Sequence, residues 1–356
     1  MRRRALRADR RVHIVFATKP HLPVIGGAQL STHFLAEELV ARGHVVTVLA
    51  IDPPYKVDSP GGLGSFSYRL INSSVPEREL SHLLAGGQAD CVVVCGYHER
   101  MANWATKMLR AAGPVPTIFY LRDVAAVEVA VRAQPHIDRV VAASAFLVGR
   151  LRQLGVDATC IEPIVDRARY GVTTTRRVAL LVNPVEQKGV EIVFALARAR
   201  PDIPFAFALC WPLKDPVLKA LRQKAARFGN VELRARVTDP CLLYGDARVL
   251  LVPSTYPEAW PRVAAEAQTS GIPVIGSNTG GVSEAAGGVG MFIDPDGPLE
   301  QWEQALTELW DYPARYEVHV TRAWAAAERE CMTPSSVGAR FEALVDDLRG
   351  VSERAA

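Results

Sequence analysis

The sequence predicts an α/β fold with two doubly wound, parallel-sheet domains that face each other across a cleft. Short apolar runs alternate with stretches of helical periodicity in the first half of the chain. The alternation breaks over residues 156–177 and then starts again, which indicates a second domain. The length of 356 residues also exceeds the usual size of one domain.

The strands of the first half are predicted from short, continuous apolar runs, as expected for parallel strands covered on both faces. In the first helix, Leu30–Arg42, apolar residues recur at helical spacing and Gly43 follows as a stop signal. The predicted strands are Val12–Ala17, Val45–Ile51, Asp90–Cys95, Thr117–Leu121 and Arg139–Ala143, and the other helices lie near 77–86, 99–112 and 144–154.

The second half repeats this architecture without an internal sequence repeat. Its predicted strands are Val178–Val182, Phe205–Leu209, Val231–Leu233, Val249–Val252 and Pro273–Ile275. Its predicted helices lie near 189–199, 216–227, 240–245, 261–270, 299–310 and 317–348. Ligands of such sheets bind at the carboxyl ends of the strands, so two facing units predict a cleft with one substrate on each side.

The domain division follows from these patterns. We expect a basic tail at 1–11, a first domain over 12–165 and a second over 166–316. The helical segment 317–356 is expected to pack back on the first domain. The tail holds six arginines, and it is interpreted either as a solvated start or as a weak contact to anionic lipid.

Composition excludes several classes of protein. The net charge of +3 is concentrated in the tail, so the remainder is slightly acidic and does not resemble a nucleic-acid binder. No apolar stretch reaches the roughly 20 residues that span a bilayer. Six cysteines are scattered without a CxxC pair, which favours buried thiols in a reducing compartment and a cytoplasmic location.

The segment Leu250–Gly287 is the most informative part of the chain. It reads LLVPSTYPEAWPRVAAEAQTSGIPVIGSNTGGVSEAAG. Glu258 lies on a loop at the carboxyl end of a predicted strand, and Glu266 lies on the first turns of the next helix. Carboxylates accept hydrogen bonds from vicinal hydroxyls, so this pair suits a ribose or a hexose. A lone glutamate is usually a solvated surface residue, but the whole segment makes that reading unsatisfactory.

The loop Gly280-Gly281 precedes a short helix that carries Glu284. Glycines before a helix leave bare backbone N–H groups at its positive end, which suits an anion or a sugar oxygen. We therefore expect this loop beside the same ligand.

This segment resembles the signature of retaining glycosyltransferases of family 4, which have the GT-B architecture. Gly26-Gly27 with the helix after it resembles the first loop of that family, and the run 183–189 (NPVEQKG) resembles the start of its second domain. The resemblance covers roughly residues 12–310. It implies that Glu258 lies near the transferred sugar, Glu266 on the nucleotide ribose and Lys188 on the donor diphosphate. It also implies front-face substitution rather than a covalent intermediate.

Two departures from the family pattern stand out. An arginine that often precedes the lysine is absent, because that position reads Val182-Asn183-Pro184. Arg262 and Arg122 are the candidates to replace it. The first glutamate opens EAWP instead of EGFG, which places Trp260 between the paired acids and leaves the transferred sugar open.

Polar residues also end two strands of the first domain. Tyr97 and His98 follow one strand, and Arg122-Asp123 follow the next. A histidine at such a strand end often contacts the donor sugar in this family, and an ordinary loop histidine is the alternative. Arg122-Asp123 is either a plain ion pair or a site that positions the acceptor.

The sequence thus predicts transfer of a sugar from a nucleoside-diphosphate sugar to an acceptor, with retention of anomeric configuration. No metal and no further cofactor are expected, and the acceptor is a small molecule, a lipid-linked compound or a glycan. The alternatives are a degenerate sugar-nucleotide-binding module and an epimerase of the same fold. The predicted site residues are Glu258, Lys188 and His98 for catalysis, Glu266, Gly26, Gly27, Asn183, Gly280, Gly281, Arg262 and Trp260 for the donor, and Arg122, Asp123 and Tyr97 for the acceptor.

Overall fold

The computed structural model describes residues 11–18, 21–22, 24–51, 66–96, 102–237 and 239–355. Within these ranges the chain forms two parallel β-sheets, each covered by helices on both faces. The predicted pair of doubly wound α/β domains is therefore confirmed. Of the basic tail, residues 1–10 lie outside the described residues.

The first domain contains a seven-stranded sheet among its described residues, in the order β3-β2-β1-β4-β5-β6-β7. Its central strands are buried along their whole length, because helices cover both faces of an all-parallel sheet. The strands are β1 (His13–Thr18), β2 (Val45–Ile51), β3 (Arg69–Ser73), β4 (Cys91–Gly96), β5 (Thr117–Leu121), β6 (Arg139–Ala142) and β7 (Ala158–Cys160). The helices are α1 (Gly27–Ala41), α2 (Pro76–Ala85), α3 (Ala102–Ala111), α4 (Val127–Ala133) and α5 (Ala145–Arg152).

The second domain contains a six-stranded parallel sheet in the order β10-β9-β8-β11-β12-β13, counted over its described residues. The strands are β8 (Val178–Val182), β9 (Phe205–Leu209), β10 (Val231–Arg236), β11 (Ala247–Val252), β12 (Val274–Ser277) and β13 (Met291–Ile293). The helices are α6 (Arg167–Tyr170), α7 (Val190–Ala199), α8 (Asp215–Ala225), α9 (Pro240–Tyr244), α10 (Arg262–Gln268), α11 (Val282–Ala285), α12 (Leu299–Asp311) and α13 (Pro313–Ala327).

Three strands were not predicted from the sequence, namely β3, β7 and β13. Each lies at the edge of its sheet, and each has partly exposed residues. An edge strand contacts one neighbouring strand only and carries polar residues, so it lacks the continuous apolar run that identifies a central strand. The predicted strands therefore do not include these three positions.

The single helix predicted near 317–348 is two helices, α13 and α14 (Pro334–Ala355). A 3₁₀ turn at Glu330–Met332 separates them, and Pro334 then starts the second helix. Proline suits the first turn of a helix, where its missing N–H group has no partner to lose. Helix α13 packs on α12 and α10 of the second domain, whereas α14 packs on α1 of the first.

Helix α14 is held to the first domain by an aromatic stack and by a group of charged side chains. The ring of Phe341 lies 5.9 Å from that of Phe16 and 6.2 Å from that of Tyr120. Next to it, Arg42 Nε donates to Glu342 Oε2 at 3.1 Å, and His44 Nε2 lies 3.0 Å from Glu342 Oε1. The end of the chain is therefore part of the core of the first domain.

No helix within the described residues is both long and apolar enough to cross a lipid bilayer.

The contacts of Glu342 predict a pH-dependent contribution to stability. Burial alone would raise its pKa, but hydrogen bonds from Arg42 and His44 outweigh burial and hold the pKa below the ordinary value of 4.5. The stabilisation is therefore present above pH 4.5 and is lost as the pH falls through the lowered pKa. We expect Glu342→Gln to lower the free energy of unfolding by about 0.5–1 kcal/mol at pH 7, because the pair is partly exposed.

Urea unfolding at pH 7, 5 and 4 checks this expectation. The difference between Glu342→Gln and the wild type should shrink as the pH decreases below 4.5. Glu128→Gln is the matched control, since Glu128 forms an exposed pair with Arg132 on one helix. Equal stability of Glu342→Gln and the wild type at pH 7 would show that the pair contributes nothing.

Candidate functional site

A cavity of about 410 Å³ lies between the two domains. The first domain contributes Gly26 and Gly27, which follow β1 in the chain. The second contributes Asn183, Cys210 and Val237, which directly follow β8, β9 and β10. The carboxyl ends of strands from both sheets therefore meet at this cavity, as expected for a ligand site in open α/β sheets.

Helix α1 begins at the wall of this cavity. Its N-cap is Gly26, which has an extended backbone and no side chain to accept a hydrogen bond from the first turn. The first turn also contains no acidic residue. The start of a helix carries partial positive charge and N–H groups without partners in the helix, so this end can bind an anion.

Glu266 supplies a buried carboxylate to the same cavity. Its residue surface is only 5% exposed, and it projects from α10. Arg262 Nε donates to Glu266 Oε1 at 3.0 Å, and the Tyr244 hydroxyl donates to Glu266 Oε2 at 2.9 Å. Each oxygen thus receives one hydrogen bond from the protein and keeps capacity for a ligand hydroxyl.

Burial and the charge of Glu266 shift the pKa values of the residues around it. Burial would lower the pKa of Arg262, but Tyr170 and Glu266 outweigh it, so the pKa is raised and the guanidinium stays charged. Burial, followed by the nearby Glu266, raises the pKa of Tyr170 to about 12 and that of Tyr244 well above its ordinary value. Both tyrosines are therefore neutral at physiological pH, where the Tyr244 hydroxyl donates to Glu266 and the Tyr170 hydroxyl accepts from Arg262.

Glu258 and Lys188 form an ion pair beside this cavity. Lys188 Nζ contacts Glu258 Oε2, and the Ser254 hydroxyl donates to Glu258 Oε1. Both charged side chains are mostly buried, with 22% and 13% of the side-chain surface of Lys188 and Glu258 exposed. The pair lines a smaller cavity of about 30 Å³, which shares Val182, Asn183 and Val263 with the larger one.

The position of Lys188 depends on the glycine that follows it. Lys188 ends a 3₁₀ turn at Glu186–Lys188, and Gly189 has a positive φ of 69°. A Cβ at Gly189 would lie 1.8 Å from the carbonyl oxygen of Pro253. Only glycine permits this backbone approach, which brings Lys188 against the end of β11 and so next to Glu258.

The loop Gly280-Gly281 positions Glu258 by packing against its backbone. A Cβ at Gly280 would lie 2.5 Å from the carbonyl oxygen of Glu258, and one at Gly281 would lie 2.1 Å from that of Ala259. The N–H of Gly281 donates to the Glu258 carbonyl at 2.7 Å. The expectation of a bare N–H group at Gly281 was therefore wrong, because that group is already bonded. Neither glycine lines the two cavities.

Asn183 occupies a strained backbone position between the two cavities. Its φ is 56°, which is uncommon for a residue other than glycine. Its Oδ1 accepts from the N–H groups of Cys210 at 2.8 Å and Trp211 at 3.2 Å. The side chain therefore joins the ends of β8 and β9 and forms a wall common to both cavities.

The paired glutamates line neighbouring cavities rather than one continuous space. Glu266 faces the larger cavity and Glu258 the smaller, and Asn183 lies on the wall that both share. Contact of both carboxylates with one ligand stays a prediction.

The two arginines proposed to replace the missing family arginine both make other contacts, although Nε and Nη2 of Arg122 are buried without a hydrogen-bond partner among the described residues. Arg122 Nη1 donates to the Ala28 carbonyl at 2.8 Å, and its guanidinium lies 4.1 Å from the Tyr120 ring centroid. It lines neither cavity. Arg262 lines the larger cavity, but its guanidinium bonds the protein at several points.

The remaining candidates have varied positions. Asp123 accepts from the Ala125 N–H and from the Tyr256 hydroxyl of the second domain at 3.0 Å, so it is not simply paired with Arg122. Trp260 is 7% exposed, lines neither cavity, and its buried indole N–H has no hydrogen-bond partner within the described residues. Tyr97 and His98 lie outside the described residues.

Glu284 joins the two domains through a helix start. Its carboxylate accepts from the N–H groups of Ala145 at 2.7 Å and Phe146 at 3.1 Å, at the beginning of α5. Ser144 accepts from Leu147 at 3.2 Å as the N-cap of the same helix. Glu284 therefore satisfies two N–H groups of a first-domain helix from the second domain.

The acidic groups near this contact are already neutralised. Within the described chain, the Cys160 thiol and the carboxylates of Glu162 and Glu284 lie close enough together to reach one cation. Arg340 donates to Glu162 at 2.7 Å, however, and Glu284 caps α5. We therefore describe this group as part of the domain interface.

Several residues at the cavity were not predicted from the sequence. Three of them are aromatic residues near the ends of helices or strands, namely Tyr170, Tyr244 and Trp211. No sequence motif around them indicates a ligand. Ser254 lies two residues after the end of β11, and in the sequence it stands out only as part of the segment around Glu258. These residues become recognisable only when the fold brings distant positions together.

Comparison with known proteins identifies the second domain most clearly. Residues 191–311, about a third of the chain, match the family model described as "Glycosyl transferases group 1". This range includes Glu258 and Glu266, and Lys188 lies just before it.

Curated relatives match part of the chain. The D-inositol 3-phosphate glycosyltransferase of Arthrobacter sp. (strain FB24) is 33% identical over 175 residues, which are 45% of this chain and 41% of that protein. The protein of the same name from Corynebacterium diphtheriae is 36% identical over 184 residues, which are 46% of this chain and 43% of that protein. The matched region thus spans less than half the length of these relatives.

Solved structures match nearly the whole chain. Anabaena HepE in complex with UDP and glucose has a TM-score of 0.75 at 16% identity, covering 94% of this chain and all of that one. The sucrose-phosphate synthase of Thermosynechococcus elongatus has a TM-score of 0.76 at 16% identity, covering 96% of this chain and all of that one. The two domains of this chain therefore have the GT-B fold, and the second contains the segment that matches the group 1 glycosyl transferases.

Proposed function

We propose that the protein is a glycosyltransferase that moves a sugar from a nucleoside-diphosphate sugar to an acceptor with retention of anomeric configuration. One observation carries the proposal. The buried Glu266 carboxylate and the uncapped start of α1 line one cavity between the domains, with the Lys188–Glu258 pair beside it. A carboxylate that accepts hydrogen bonds from hydroxyls and a helix start that can bind an anion, in one cavity, suit a ligand with both a sugar and a phosphate part.

The roles of the residues follow from their chemistry. Glu266 would accept hydrogen bonds from the ribose hydroxyls of the donor, and Glu258 from hydroxyls of the transferred sugar. Lys188 and the start of α1 would stabilise the charge that develops on the leaving diphosphate. Such preorganised electrostatic stabilisation is usually the largest single contribution to catalysis.

The ion pair between Lys188 and Glu258 adds a detail to this scheme, because each of the two charges neutralises the other. A diphosphate would compete with Glu258 for the Lys188 ammonium, and release of Glu258 would leave its carboxylate free for the sugar. A ligand with both a phosphate and a sugar would give each of the two side chains a new partner, the phosphate for Lys188 and the sugar for Glu258.

The comparisons guide the choice of substrates. HepE was solved with UDP-glucose, so UDP-sugars are the first donors to test. The curated relatives carry the name of an enzyme that acts on D-inositol 3-phosphate, so phosphorylated polyols belong in the acceptor panel, beside lipid-linked acceptors and glycans. A cytoplasmic location is part of the proposal, and it agrees with six cysteines that are all free thiols.

The proposal is tested by incubating the full chain with UDP-, GDP- and ADP-sugars and detecting release of the nucleoside diphosphate. Slow donor hydrolysis or transfer supports an enzyme. Binding in a thermal-shift assay without any cleavage would instead identify a sugar-nucleotide-binding module. No binding of any member of the panel would overturn the proposal.

We expect Glu266→Gln to weaken nucleoside-diphosphate binding by about 1–2 kcal/mol, because the amide replaces one charged acceptor of ribose hydroxyls. Isothermal titration with the nucleoside diphosphate of the active donor measures the change. Glu300→Gln, which alters an exposed acid at the start of α12, serves as the control and should bind like the wild type. Unchanged affinity of Glu266→Gln would remove the ribose role.

Glu258→Gln should lower kcat on the order of 100-fold, with a smaller effect on KM, since misplacement of the reacting sugar mainly affects the chemical step. Steady-state kinetics with the active donor measures both constants. NMR of the product formed by the wild type should show the anomeric configuration of the donor. Full activity of Glu258→Gln, or an inverted product, would contradict the mechanism.

A further inference from the structure

Arg262 is a buried, charged side chain at the domain interface with several hydrogen bonds. Its residue surface is 5% exposed. Besides Glu266, it donates to the Ser31 hydroxyl at 3.2 Å in α1, to the Ile164 carbonyl at 2.8 Å and to the Tyr170 hydroxyl at 3.3 Å. One side chain of the second domain thus reaches the first domain and the segment that connects the two.

Its hydrocarbon part is also packed against the first domain. A Cβ on Gly27 would lie 3.4 Å from Arg262 Cδ, so the start of α1 lies directly on the arginine. The guanidinium carbon lies 5.4 Å from the centroid of the Phe34 ring in the same helix. The position of α1, which forms one wall of the cavity, and the position of Arg262 therefore depend on each other.

The hydrogen-bond count argues against a role in binding the diphosphate. A guanidinium has five N–H groups, and four of them have partners here: Glu266, Ser31, Ile164 and Tyr170. Moving the group to a phosphate would leave the Glu266 carboxylate buried without its cation. A charge left unpaired in a buried position is strongly unfavourable.

We propose that Arg262 is a positioning residue that orients the Glu266 carboxylate for the donor and makes this orientation depend on the packing of the first domain. The inference rests on the proposed ribose role of Glu266. The guanidinium fixes Oε1 through Nε and is itself fixed by Ser31, Ile164 and Tyr170. Separation of the domains would break the bond to Ser31 of the first domain and loosen the guanidinium that holds Glu266, so high donor affinity requires the domains to be together.

The decisive experiment is a double-mutant cycle on nucleotide affinity. The full chain is prepared as wild type, Arg262→Gln, Glu266→Gln and the double variant, and UDP is titrated into each, with ADP and GDP as further probes. We expect Arg262→Gln to weaken the Kd about tenfold, equivalent to about 1.4 kcal/mol. In the Glu266→Gln background the same substitution should change the Kd less than about twofold, since Arg262 acts through Glu266.

Two further variants separate positioning from simple structural support. Tyr244→Phe removes the other protein donor to Glu266 without altering an interdomain bond, so it should weaken UDP binding and leave the radius of gyration unchanged. Ser31→Ala removes one interdomain hydrogen bond of Arg262. We expect this variant to have a larger radius of gyration without UDP, or a larger decrease of the radius of gyration when UDP binds, than the wild type. Small-angle scattering measures both. If Ser31→Ala alters neither, the dependence on domain packing is wrong.

The outcomes of the double-mutant cycle distinguish a positioning role of Arg262 from a purely structural one. Additive effects of Arg262→Gln and Glu266→Gln on the Kd would show a structural role only and overturn the positioning role, while the proposed function would stand. If the wild type binds none of the three nucleotides, the proposed function fails and this inference fails with it. If urea unfolding shows that Arg262→Gln is not folded, Arg262→Lys is used instead. We expect Arg262→Lys to lose less affinity for UDP and to show the same non-additivity with Glu266→Gln.

Discussion

Both sheets are parallel, and this constraint determines where chemistry can occur in the molecule. All strands of a parallel sheet end at the same edge, so the loops after β8, β9, β10 and β11 gather at one side of the second domain. The first domain directs the end of β1 and the start of α1 to the same place. The topology of the two sheets therefore determines where the cavity lies, and the side chains determine which ligand it can bind.

The central part of the fold could be predicted because burial on both faces leaves a clear trace in the sequence. The strand β4, with the sequence CVVVCG, is buried at every position and contains no charged or strongly polar residue. The edge strand β3, RLINS, has no such trace, since its residues are exposed or partly exposed. The break between α13 and α14 had a local signal in Pro334, but the helical periodicity on both sides concealed it.

The site was predictable where its residues are neighbours in the chain. One short segment contains both Glu258 and Glu266. Its pattern predicts that Glu258 lies on the loop before a helix and that Glu266 lies on the first turns of that helix. The N–H group of Gly281 was expected to be free, because a glycine that permits close packing and one that exposes an N–H group look the same in a sequence. The partners of Arg262 could not be foreseen, since Ser31 lies more than two hundred residues earlier.

The path of the chain between the domains has a mechanical consequence. It passes from the first domain to the second after β7, and it returns between α13 and α14, where the Val165 N–H donates to the Met332 carbonyl at 3.0 Å. Two crossing segments bonded side by side act as a pair of adjacent pivots. Two crossings side by side restrain rotation of one domain against the other more than a single crossing would.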